Sequence, residues 1–107
     1  MDFERITSAI KEIQCEGVRC DDAIHLEVVI VKEELTKLIA CLEGFFGSPV
    51  FPSKNKLSSK ILQDIKDFGG IMAGQTLYYW SEADTTIFAM LSPWQDAEHI
   101  TLKLIKK

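Results

Sequence analysis

The most distinct pattern of apolar positions lies in the last third of the chain. Gln75-Thr-Leu-Tyr-Tyr-Trp80, Thr85-Thr-Ile-Phe-Ala-Met-Leu91 and His99-Ile-Thr-Leu-Lys-Leu-Ile105 are runs of β-branched and aromatic residues. Glu82-Ala-Asp84 and Pro93-Trp-Gln-Asp96 separate them. Branched and aromatic side chains favour extended backbone, whereas Asp, Pro and small residues supply reversals, so the pattern predicts an antiparallel meander. A two-residue turn at Ala83-Asp84 would pair 82 with 85, 80 with 87 and 78 with 89. One face then carries Tyr78, Trp80, Ile87, Ala89 and Leu91, and the other carries Leu77, Tyr79, Phe88 and Met90. Both faces are apolar, so each needs a cover.

Three upstream stretches have helical spacing. Phe3, Ile6, Ile10 and Ile13 recur at steps of three and four, predicting a helix over 2–16 with Asp2 as its N-cap and Gly17 as its stop. Leu57, Ile61, Leu62, Ile65 and Phe68 predict another, closed by Gly69-Gly70. Residues 21–46 admit two readings. A heptad-like stripe from Ile24 to Phe45 would make one long helix, but Val28-Val-Ile-Val31 is poor helix and good strand. The alternation favours a strand over 23–30 and a helix over 32–46, with Leu35, Leu38, Ile39, Leu42 and Phe45 inward and a Glu33 to Lys37 pair outward. Ser48 to Lys56, with two prolines, is a linker too short to separate domains. The prediction is one α+β domain over 1–107: an antiparallel sheet of about four strands, the meander plus one N-terminal strand, packed with three helices.

Composition agrees with one folded domain, since 47% hydrophobic and 26% charged residues exclude disorder. Net charge is −4, and an acidic whole argues against duplex DNA, whose affinity comes largely from neutralised phosphates. The charge is uneven: residues 1–47 hold ten acids against five bases, and residues 48–107 six acids against seven bases. No apolar run reaches the roughly 20 residues that cross a bilayer, and the N-terminus lacks the pattern of a secretory signal. Three cysteines without dense spacing suit a reducing compartment, so a cytoplasmic location is expected.

Candidate chemistry is sparse. Cys15, Cys20, His25 and Cys41 could in principle ligate zinc, but a four-residue gap with no second close pair does not fit structural zinc spacing, so neither a metal nor a cofactor is expected. His25 and His99 are the only imidazoles, and neither sits in a recognisable nucleophile motif, so an enzyme is the less favoured class. Three helices split across both faces of the meander would close the domain within one chain; the sharper reading is that helices pack one face while the other is an interface. Tyr78, Trp80, Ile87 and Trp94 are the predicted contact residues, for a protein partner or a second copy in a two-fold dimer. The alternative is an anionic ligand, nucleotide or RNA held by Lys54, Lys56, Ser58, Ser59 and Lys60 at the start of the third helix.

Overall fold

The computed structural model describes residues 1–54 and 56–107, so Asn55 of the basic stretch lies outside the described residues. The elements run α1 (Phe3–Lys11), β1 (Gly17–Asp21), β2 (His25–Val31), a 3-10 turn (Lys32–Glu34), α2 (Leu35–Phe46), α3 (Ser59–Lys66), β3 (Thr76–Glu82), β4 (Thr85–Pro93) and β5 (His99–Lys106). Three α-helices pack on one antiparallel sheet of five strands in the order β1-β2-β5-β4-β3. The fold class is α+β, with one strand more than the sequence pattern predicts.

That extra strand is β1. The first helix stops at Lys11 rather than at 16, because its chain folds back and pairs with β2, Gly17 opposite Val29 and Cys20 opposite Glu27. Asp22 closes the hairpin by accepting hydrogen bonds at Oδ1 from the amides of Ile24 and His25. A short, mostly polar stretch with one glycine carries little strand signal of its own, and only its neighbour makes it extended. The strand predicted at 23–30 runs over His25–Val31, and the first turn of the following helix is 3-10. This places Glu34, not Glu33, beside Lys37, at 3.1 Å.

The meander has the predicted register: Glu82 opposite Thr85, Trp80 opposite Ile87 and Tyr78 opposite Ala89. Its two faces are divided between different covers. α1 and α2 lay Phe3, Ile6, Ile10, Leu38 and Leu42 over Leu26, Val28, Ile30, Tyr78, Ile87, Ala89, Leu91, Ile100, Leu102 and Leu104. α3 and its flanks lay Ile65, Ile61, Phe51, Leu57 and Phe68 over Leu77, Phe88, Met90 and Ile105.

One chain therefore supplies its own lid. Tyr78 is 1% exposed and Ile87 0% exposed, while Trp80 is half-buried against the same core. The open aromatic sheet face expected at Tyr78, Trp80 and Ile87 does not exist. The reason is the position of β2, which docks on β5 rather than on the meander's far edge and brings α1 and α2 onto that face. Tyr78 also donates its hydroxyl to Glu43 Oε2 of α2 at 3.0 Å. Burial, then this carboxylate, pushes the phenol up to about 12.

α3 is too short to cover all of the second face. It shields the β3-β4 half, leaving the β1-β2-β5 half, with Cys20, Glu27, Lys103 and Thr101, without a helix above it.

Candidate functional site

Part of the half-face without a helix is covered instead by Trp94, with Arg19 beside it. β4 ends at Pro93, and the reversal into β5 is fixed by Asp96, whose Oδ1 accepts from the amides of Glu98 at 2.8 Å and His99 at 3.1 Å. Ala97 takes a left-handed φ of 60°, and the Trp94 amide donates to the His99 carbonyl at 2.8 Å. This turn folds the indole back over β5, where Nε1 donates to Thr101 Oγ1 at 2.8 Å. Thr101 and Val29 beneath it are buried.

Trp94 nonetheless stays 37% exposed, so the indole is tucked against the sheet and presented outward at once. One edge is hydrogen-bonded into the sheet and the ring is offered to solvent. Two further groups frame it. The His99 ring lies 4.7 Å from the indole, centroid to centroid, and the Arg19 guanidinium reaches across β2 to stand 5.4 Å from the ring centre. Arg19 can do so because the β1 register slips between Val18 and Cys20, making it the extra residue of a bulge. Beside these lies a shallow depression of about 280 Å³, lined by Glu16, Val18, Arg19, Val29, Trp94 and His99, and Val18 is 56% exposed.

Charge is built into the same turn. His99 Nδ1 pairs with Asp96 Oδ2 at 2.6 Å. The hydrogen bond to Asp96 holds the imidazole above its ordinary value, and the Glu98 amide, then His99, hold the Asp96 carboxyl below its own. A histidine paired to a carboxylate supplies two of the three members of a nucleophilic triad, but no serine, threonine or cysteine is hydrogen-bonded to this ring among the described residues. A tryptophan ring beside an arginine is instead a combination of the residue types most enriched where protein interfaces concentrate their energy.

The anion candidates are partly committed elsewhere. Ser58 caps α3 by accepting from the Ile61 amide at 3.2 Å. Lys60 Nζ donates to Tyr79 Oη at 2.9 Å, Asp64 Oδ2 at 3.2 Å and Ser81 Oγ at 3.2 Å. The hydroxyl of Tyr79, then Asp64, raises the Lys60 ammonium above its ordinary value, and Tyr79, then Lys60, lowers Asp64. Ser59 is exposed in the first helical turn. Lys54 and Lys56 are exposed at the rim of a groove of about 430 Å³ floored by Phe51, Leu57, Leu62 and Ile71. The helix start is thus a neutralised cap with two lysines standing apart from it.

The soft ligands are also dispersed. Cys15 Sγ donates to the Ile13 carbonyl, Cys20 Sγ lies near Asp22 and the His25 carbonyl, and Cys41 belongs to α2. Burial raises the thiols of Cys15 and Cys41. Among the described residues no group of three His, Cys, Asp or Glu side chains is placed to hold a metal ion.

Sequence reasoning singled out Trp94 but missed Arg19, Val18 and His99 as its companions. They lie 75 or more positions upstream in the first two cases, and the strand order that joins them leaves no trace in local pattern. Among the described residues no helix is long and apolar enough to cross a membrane. Comparison with known protein families, with characterised proteins and with solved structures finds no match to this chain.

Proposed function

We propose that this chain is a small intracellular protein-interaction module that docks through the surface formed by Trp94, Arg19, Val18 and His99. The observation that carries this reading is the partly exposed indole hydrogen-bonded to Thr101 and flanked by Arg19 and His99 over the half-sheet that α3 leaves open. Tryptophan and arginine are the side chains most enriched where interface energy concentrates, and a pre-ordered ring loses little rotamer freedom on binding. Of the residues first expected at an interface, Trp94 keeps that role, whereas Tyr78 and Ile87 serve the core. Three free thiols are consistent with a reducing, cytoplasmic setting.

Binding of an anionic ligand or RNA at 54–60 is the weaker reading, because Lys60 is neutralised by Asp64 and Ser58 is spent on the helix cap. Only Lys54, Lys56 and Ser59 of that set remain available to a ligand. Titration with short RNA at two salt concentrations should show no salt-sensitive binding.

The docking reading is tested by placing a photo-cross-linking residue in cells at Val18, beside Trp94, and at Ser8 on the exposed side of α1 as control. Val18 is expected to give a discrete cross-linked product, another protein or a second copy, that Trp94→Ala abolishes and that Ser8 does not give. Equal products from both positions, or a Val18 product indifferent to Trp94→Ala, would refute it.

A further inference from the structure

Beside α3 lies apolar surface that the Trp94 surface does not use, built by three separately anchored segments. Phe51 is held by its backbone exchange with Leu77 at the β3 edge. Leu62 stands on the outer side of α3, whose start Ser58 caps. Ile71 belongs to the loop between α3 and β3. Gln75 ties that loop down: its Oε1 accepts from the Met72 amide at 2.8 Å and its Nε2 donates to Ser92 Oγ at 3.1 Å. These side chains, with Leu57, floor the groove of about 430 Å³, a size typical of small-molecule sites. Leu62 is 49% exposed, and Met72 beside Ile71 is 65% exposed, so apolar groups here face water.

Charge sets this groove apart. The depressions beside α1 are lined by acids, Glu4 and Glu12 in one and Asp2 and Glu4 in the other. Among the described residues the groove has Lys54 and Lys56 and no acid, in a chain of net charge −4. Neither lysine has a carboxylate partner among the described residues, whereas Lys11, Lys37, Lys60 and Lys107 each have one. Two unpaired ammonium groups at the rim of an apolar floor match a ligand with one anionic head and one apolar tail. A nucleotide or RNA would leave the floor unfilled. An anionic membrane is the poorer fit, since two lysines hold a protein only weakly to such a surface and the remaining charge of the chain opposes it.

We infer that this groove binds a free long-chain carboxylate, a fatty acid, with its tail along Phe51, Leu57, Leu62 and Ile71 and its head at Lys54 and Lys56. The tail supplies most of the affinity, because removing methylenes from water is favourable whatever the salt, while an exposed carboxylate and ammonium attract only modestly. Ser58, Ser59 and Lys60 take no part, so the site is not the start of α3. It also stands apart from the Trp94 surface, whose docking role it neither needs nor excludes.

Isothermal titration of the chain with octanoate, decanoate and laurate, each below its micellar concentration, should show one saturable site. Affinity should rise about fourfold for each added pair of methylenes, half-buried in so open a groove. Laurate should shift the amide resonances of Phe51, Leu57, Leu62 and Ile71 and leave those of Val18 and Trp94 in place. Leu62→Asp, a carboxylate placed at an exposed position of the floor, should weaken laurate by about tenfold or more. Lys54→Glu with Lys56→Glu should weaken it by about fivefold or more. Dodecyltrimethylammonium, with the same tail and the opposite head, should bind the native chain more weakly than laurate and the doubly substituted chain more tightly. That exchange of preference separates a lost contact from lost folding. No saturable binding, shifts centred elsewhere, indifference to Leu62→Asp, or equal binding of the two head groups would overturn the inference. So would attachment to vesicles of phosphatidylcholine and phosphatidylglycerol by a chain that takes up no free laurate.

Discussion

His99 and Asp96 show how one residue pair can both shape a turn and respond to pH. The carboxylate of Asp96 accepts two backbone amides through Oδ1 and the imidazole through Oδ2, so the reversal that presents Trp94 depends on its ionised form. Because the imidazole value in the folded chain lies above its ordinary 6.5, the stabilising pair is complete below that ordinary value. It fades as pH rises through the raised folded value. The carboxyl behaves oppositely: lowered in the folded chain, its contribution is present above the ordinary carboxylate range and is lost as pH falls through the depressed value. The pair is therefore strongest in the window between the two. An NMR titration of His99 should give a value above 6.5 in the native chain and a lower one in Asp96→Asn. An unchanged or higher value in the variant would remove Asp96 as the cause.

Elements here differ in how far their own residues dictate them. The β3-β4 hairpin is nearly self-determined: two β-branched and aromatic runs with two residues between them leave one register that keeps Tyr78 with Ile87 on one side and Tyr79 with Phe88 on the other. Its turn is still imperfect. Ala83 takes a φ of 52°, a left-handed conformation that costs an L side chain free energy and a glycine almost none. Ala83→Gly should raise stability by about 0.5–1 kcal/mol, after the greater flexibility of glycine in the unfolded chain is subtracted. Urea denaturation at constant slope would show it, and a lower midpoint would contradict it. By contrast β1, with one exposed valine and no alternation of burial, becomes a strand only by pairing with β2. α1 is cut short by the same event, since a helix continuing to 16 would consume residues that the β1-β2 hairpin needs.

At the scale of the whole molecule the governing quantity is how much sheet the helices can hide. α1 and α2 cover one face from β2 to β3, while α3, of eight residues, covers half of the other. The remainder is closed by the reversal at 93–99 and by Arg19, and this patchwork leaves aromatic and aliphatic surface at a sheet edge. The same accounting explains why Tyr78 and Ile87, expected from the sequence at an interface, are buried within one chain. Counting apolar residues showed correctly that both faces need cover, but not that α1 and α2 would supply it for Tyr78 and Ile87.

What the chain determined by itself was whatever depends on neighbours a few positions apart: three helical stripes, the meander and its register, and the Gly69-Gly70 pair that follows the third helix. Tertiary structure alone decided that β2 enters beside β5, that β1 exists, and that Arg19 stands over Trp94. It also turned Lys60 from a free cation into the partner of Asp64 and Tyr79. The physical reason is one of range. Backbone preference and side-chain periodicity act within a turn or a strand pair, whereas strand order follows from which burial of all the apolar stripes together leaves least surface in water.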